Sequence, residues 1–181
     1  MKAKPSKHPG QVVLELGKRD EPMLTAAAVE PFQIKRILVP IDFSDCATKA
    51  LRYAVPLAKQ HGASRNLVHV ISSAIHSYGE YGPIWTRPIE SELEVTKNAL
   101  QKLAEAEIRN VPFNVDIRIG APHLEITQFA ESERSDLIVI ATHGYTGFKH
   151  ALLGSVAENV VRYAPCPVLV VKVQEREFVR N

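Results

Sequence analysis

From Ile34 onward, short β-branched runs alternate with longer segments of helical period, and this alternation limits the possible folds more than any other feature of the chain. The strand runs are Arg36–Ile41, Ser64–Ile71, Phe113–Ile119, Asp136–Ala141 and Val168–Val173. Between them, Ala47, Ala50, Leu51, Ala54, Leu57 and Ala58 recur at the spacing of one buried helical face, which predicts a helix over Asp45–His61. Pro56 lies inside it and should bend it, at a cost of about 3 kcal/mol that packing must offset. Leu93, Leu100, Leu103, Ala104 and Ile108 mark a second helix over Ile89–Asn110. Pro122, at a first-turn position, opens a third with Leu124, Ile126, Phe129 and Ala130 as its apolar residues. A fourth runs from Ser155 to Ala164, ended by Pro165 and Pro167.

Strands separated by helices pair in parallel through right-handed crossovers. The expectation is therefore an α/β fold, an open five-stranded parallel sheet with helices on both faces. Ligands in such sheets bind at the carboxyl ends of the strands where strand order reverses. That directs attention to Pro40-Ile41-Asp42 and Ala141-Thr142-His143-Gly144.

At roughly 150 residues per domain, a chain of 181 leaves about thirty over. Residues 1–31, punctuated by Pro5, Pro9, Gly10, Gly17, Pro22 and Pro31, read as a flexible amino-terminal arm with a short strand at Gln11–Leu16. Residues 32–174 form the domain and 175–181 a carboxyl-terminal tail. The net charge of +2 and the absence of a basic run argue against a nucleic-acid surface. No apolar run approaches the roughly eighteen residues of a membrane span, and Met1–Leu16 makes a poor signal peptide. Cys46 and Cys166 form neither a disulfide framework nor a metal pattern, so a cytoplasmic location is expected.

The loop after the fourth strand is the most informative stretch. Gly144 is followed by nine residues and then Gly154-Ser155 at a helix start. Glycines admit close backbone approach, and a helix start offers unpaired N–H groups at the positive end of its dipole, which together make an anion cradle without a lysine. A competing reading makes Ser155 and Glu158 a capping box. Neither the Gly-x-x-x-x-Gly-Lys-Ser/Thr nor the Gly-x-Gly-x-x-Gly motif occurs.

The stretch DLIVIATHGYTGFKHALLGSVAENVVRYAPCPVLVV resembles the carboxyl-terminal half of a universal stress protein, and KRILVPIDFSDCATKAL resembles that family's first strand and helix. LVHV at Leu67–Val70 and Gly120-Ala121-Pro122 match its middle landmarks, so the resemblance runs from Ile34 to Lys172. It implies a Rossmann-like sheet of the adenine nucleotide alpha hydrolase type, with the five strands in the order 3-2-1-4-5. The family's nucleotide-binding branch carries Gly-x2-Gly-x9-Gly-Ser/Thr. Here Ala141 replaces the first glycine, and Gly147, separated from Gly154 by six residues, cannot substitute for it.

Carried over position by position, the resemblance implies that Pro40, Asp42 and Val70 surround adenine and ribose. Ile140, Ala141, His143 and Gly144 would then line the ribose and α-phosphate, and Gly154, Ser155 and Val156 the phosphates. A carboxylate at Asp42 can accept hydrogen bonds from sugar hydroxyls or an amine. Its other reading is a cap for the first helix, a role that Ser44 and Asp45 can also fill. His143 has no identified partner base or nucleophile, which leaves a surface loop histidine as its default, and His69 reads as a packed, hydrogen-bonded histidine. No metal-ligand spacing occurs, so Mg²⁺ would arrive with ATP, held by phosphate oxygens and water.

The resemblance further implies a homodimer through the fifth strand, Val168–Val173, whose apolar edge needs a cover; the alternative cover is the arm. Tyr78, Tyr81 and Trp85 lie in a loop that reads either as a lid over adenine or as a loop with stray aromatics. The expected function is a cytoplasmic ATP-binding stress-response regulator with slow or no hydrolysis, acting on regulatory protein partners and binding neither nucleic acid nor membrane. Ala141 keeps open a nucleotide-free scaffold acting by association. An adenylating ligase or electron-transfer flavoprotein is disfavoured, because Pro40-Ile41-Asp42-Phe43-Ser44-Asp45 stands where the ligases carry Ser-Gly-Gly-x-Asp-Ser.

Overall fold

A computed structural model describes residues 2–5, 12–15, 33–72, 89–108, 112–142 and 153–172. The expectations placed on Tyr78, Tyr81, Trp85, His143, Gly144, Gly147, Val173 and the tail lie outside these residues. The chain divides into two compact units, Met1–Gln33 and Ile34–Asn181. In the first, Val12–Glu15 (β2) is the short strand expected there, and it pairs antiparallel with Lys2–Pro5 (β1), which the sequence reading did not anticipate.

The second unit alternates strand and helix in the expected order. Arg36–Pro40 (β3) leads to Asp45–His61 (α1), then Ser64–Ser72 (β4), Ile89–Glu107 (α2) and Phe113–Gly120 (β5). Pro122–Ser132 (α3), Leu137–Ala141 (β6), Ser155–Tyr163 (α4) and Val168–Val171 (β7) complete it. The five strands form one parallel sheet in the order β5-β4-β3-β6-β7, which is the expected 3-2-1-4-5.

The period of two along each strand sorts side chains into two cores. Ile37, Val39, Leu67 and Val139 pack with Ala50, Leu51 and Ala54 of α1 and Leu100 and Ala104 of α2. Leu38, Val68, Ile138 and Ile140 pack on the other face with Ile126 and Phe129 of α3 and Ala157 and Val160 of α4. Leu124, expected in the stripe of α3, is instead exposed. It stands two residues before Ile126, about 200° around the helix at 3.6 residues per turn, and so points away from the sheet.

Local signals set the element ends. Gly62 caps α1 in the left-handed conformation, φ 65°, and its N–H donates to the Ala58 carbonyl. Pro56 sits at an exposed position of α1, which runs through it from Asp45 to His61. Asp136 ties the base of the sheet, accepting from the N–H groups of Lys35 and Arg36 at 2.8 and 2.9 Å and so joining the start of β3 to that of β6.

The chain leaves β3 outward to β4 and β5, then returns to β6 on the opposite side. The β3–β6 ladder covers only Ile37–Leu38 against Leu137–Ile138. The carboxyl ends of these two strands therefore frame a crevice at the topological switch point.

Candidate functional site

The crevice holds a cavity of about 480 Å³, inside the roughly 300–1,000 Å³ span of small-molecule sites. Pro40, Asp42, Val70, Ile140, Ala141, Gly154, Ser155 and Val156 all line it. Eight of the ten residues expected from the sequence are thus brought together, and the other two, His143 and Gly144, lie outside the described residues. The lining also includes residues not expected there: His69 and Ser72 from β4, Glu92 and Thr96 from α2, and Pro122 and Ile126 from α3. Their signals were weak, because a threonine, a glutamate and a serine on ordinary elements meet at the cavity only through long-range packing.

The wall at Asp42 is built by a tight elbow between β3 and α1. Ser44 is the cap of α1, its Oγ accepting from the Ala47 N–H at 3.1 Å. Asp42 is not the cap; its Oδ1 accepts from the Ser44 N–H at 3.1 Å and from the Ser44 hydroxyl at 2.6 Å, and so orients the cap. Between them Phe43 adopts φ 63°, a left-handed conformation that bulky residues rarely enter. His69 is hydrogen-bonded and half-buried as expected, its Nδ1 lying 2.7 Å from the Ile41 carbonyl. Cys46, just inside α1, has its thiol pushed above the ordinary value by burial, then by the charges of Asp42 and Asp45. It is therefore a neutral thiol, unsuited to nucleophilic attack.

The opposite wall is the start of α4. Gly154 is its cap, with extended backbone at φ −70°, ψ 151°, and no side-chain cap bond. Ser155 occupies the first helical position, which displaces the capping-box reading: a Ser-x-x-Glu box requires the serine outside the helix. The first intrahelical bond runs from Glu158 N to the Gly154 carbonyl, so the N–H groups of Ser155, Val156 and Ala157 have no partner within the helix. Gly154 donates its own N–H to the Thr142 carbonyl at 2.6 Å, and Thr142 donates to the Val171 carbonyl at 2.9 Å. Thr142 thereby joins the start of α4 to the end of β7.

Ala141 ends β6 in register with Val171, nearly buried, and is absent from the positive-φ residues. Its backbone needs none of glycine's freedom, and what distinguishes it from glycine here is one methyl group at the cavity wall. Asp42 and Glu92 are the charged groups among the described lining residues, with no lysine or arginine beside them. Among the described residues no cluster of His, Cys, Asp and Glu could hold a metal ion, and no helix is long and apolar enough to cross a membrane.

A parallel sheet with a crevice at its switch point, a carboxylate on one wall and a helix start on the other defines an α/β protein with a candidate small-ligand site. The comparisons carry that class to a family. Residues 33–172 match the model of the universal stress protein family, and the chain belongs to that family. It is 37% identical over 144 residues to the universal stress protein MJ0531 of Methanocaldococcus jannaschii, covering 79% of this chain and 85% of that one. The solved structure of the MJ0577 protein superposes with a TM-score of 0.66 at 34% identity, covering 80% of this chain and all of the other. The universal stress protein UspA of Lactobacillus plantarum gives 0.65 at 28%, covering 77% and 99%.

Proposed function

We propose that this chain is an ATP-binding regulator of the stress response, in which nucleotide occupancy biases conformation or partner choice and hydrolysis is slow or absent. The observation that carries the reading is the convergence of eight expected residues on one cavity of about 480 Å³ at the switch point. In this reading Pro40, Asp42 and Val70 contact adenine and ribose, and Ile140, Ala141, His143 and Gly144 follow the ribose and α-phosphate. The start of α4 at Gly154, Ser155 and Val156 takes the phosphates through backbone N–H groups, so the lack of a lysine or arginine among the described lining residues is no obstacle. Mg²⁺ would enter with the nucleotide. Two more distant structures of this fold, 20% and 23% identical, are described as complexes with cAMP and with dAMP.

The reading extends to a cytoplasmic homodimer joined through the fifth strand, Val168–Val173, with regulatory proteins as partners. In support, β7 is a sheet edge, hydrogen-bonded among the described residues to β6 alone. Equilibrium dialysis with ATP tests the central claim: binding in the wild type, lost in Asp42→Ala and Gly154→Val, supports it, and no binding at millimolar nucleotide refutes it. Sedimentation equilibrium tests the dimer, which a monomer at all concentrations would exclude. Ala141 favours a second reading, a scaffold that associates with proteins without nucleotide, and dialysis separates the two.

A further inference from the structure

We propose that His69 is a positioning residue of this site, holding the elbow Ile41–Phe43 in the conformation that presents Asp42 to the cavity. The β3–β4 ladder ends at Pro40 and Val68, with a last backbone bond from Ile41 N to the Val68 carbonyl at 2.8 Å. In a parallel ladder the next bond would bring a backbone N–H to the Ile41 carbonyl. That carbonyl receives the His69 ring instead, at 2.7 Å. A carbonyl only accepts, so Nδ1 carries the proton and donates. The bond survives in the neutral Nδ1–H tautomer and in the imidazolium alike.

The same ring packs against Phe43, with centroids 4.8 Å apart and planes at 44°. Phe43 is 40% exposed and carries the left-handed φ of 63°, a conformation that persists only where the surroundings over-determine it. His69 touches the elbow on both sides of Asp42, through the Ile41 carbonyl before it and the Phe43 ring after it. Asp42 in turn orients Ser44 and the cap of α1. One side chain from β4 thus fixes the backbone that delivers a cavity residue, a role distinct from touching the ligand.

The inference rests on the nucleotide reading for its functional consequence, and its test carries a readout that does not. Asparagine places its amide nitrogen where Nδ1 stands, whereas glutamine places it where Nε2 stands. Amide hydrogen exchange at residues 42–44, without nucleotide, and calorimetric titration with ATP are compared in the wild type, His69→Asn, His69→Gln and His69→Phe. Exchange in His69→Gln and His69→Phe should quicken by about five- to tenfold and ATP binding weaken by a similar factor, while His69→Asn, which keeps the bond to the Ile41 carbonyl and loses only the ring contact with Phe43, should stay within about threefold in both. Should His69→Phe not fold, the Asn–Gln comparison carries the test. Unchanged exchange and binding in His69→Gln overturn the proposal, as does recovery by Gln where Asn fails, which would make His69 a ligand contact through Nε2. If the wild type binds no ATP, the nucleotide reading fails and exchange alone decides whether His69 clamps the elbow.

Discussion

The methyl group of Ala141 separates the two functional readings, and its effect can be worked from the structure. Ala141 is 9% exposed, ends β6 and lines the cavity. In Ala141→Gly the strand loses about 0.5–1 kcal/mol to backbone entropy and up to about 0.8 kcal/mol for the buried methyl, a total of about 0.5–1.8 kcal/mol of fold stability. Ligand affinity responds differently. Because the alanine backbone is ordinary strand, a nucleotide that already clears the methyl gains nothing from its removal, and ATP affinity should change by less than about threefold. Ala141→Val adds bulk to the same wall, and overpacking of about 1–3 kcal/mol predicts binding weaker by roughly five- to 150-fold. Calorimetric titration of the three proteins, with urea unfolding to confirm that each is folded, measures both quantities. A gain of tenfold or more in Ala141→Gly would refute the reasoning, because it means the native methyl obstructs the ligand, and it would favour the scaffold reading.

Three further outcomes follow from the packing. Ser44→Ala removes the cap bond to Ala47 and the hydroxyl that Asp42 accepts, so urea unfolding should show a loss of about 1–2 kcal/mol; a loss under a few tenths would mean the Asp42–Ser44–Ala47 chain is not formed in solution. Arg65 is fully buried, its Nη2 donating to the Pro112 and Ala63 carbonyls at 3.0 and 3.5 Å, with no partner on Nε or Nη1 among the described residues and burial drawing its pKa down. Arg65→Met should therefore be neutral or stabilising by about 1–3 kcal/mol in the same assay, and destabilisation beyond about 1 kcal/mol would contradict this. Glu107 receives two bonds from Arg52, at 2.8 and 3.0 Å, and the Arg52 side chain, 47% exposed, still lowers the carboxyl below its ordinary 4.5. A lowered folded pKa adds stability above the unfolded value that is lost as pH falls through the folded one. Glu107→Gln should therefore cost under about 1 kcal/mol at pH 7, the difference vanishing below the pH where wild-type Glu107 protonates.

The alternation of runs from Arg36 to Val171 made the architecture legible, because each run is long enough to show its period and each helix buries one stripe. The cavity residues on strand ends were legible too, since topology alone sends Pro40, Asp42 and Ala141 to the switch point. Two kinds of feature were not. Ser155 and Gly154 are both acceptable caps by propensity, and only the bond from Glu158 to the Gly154 carbonyl decides for the glycine. Glu92 and Thr96 reach the cavity from a helix that follows it by twenty residues in sequence, where neither periodicity nor turn chemistry marks them. His69 belongs to both kinds: its alternation with buried neighbours predicted a packed histidine, while its second function, holding the Ile41 carbonyl, depends on where β3 stops pairing.

The two helix starts flanking the crevice are chemically unlike, and on the proposed function this difference would orient the ligand. The start of α1 is already provided with anions and acceptors of its own: Asp45 in the first turn, the Ser44 cap, and the Asp42 carboxylate bonded to it. An added phosphate there would meet two negative side chains. The start of α4 is capped by a glycine that brings no side-chain oxygen, leaving three N–H groups without a partner inside the helix, and its first-turn acid, Glu158, is paired with Arg162 at 3.2 Å. Under the proposed function, an adenine nucleotide would therefore put its donor groups, hydroxyls and amine, toward Asp42 and its phosphates toward Ser155 and Val156. In the proposed reading this polarity also fits the described lining, which carries carboxylates and no lysine or arginine: aligned peptides at the start of α4 supply attraction for the anionic end.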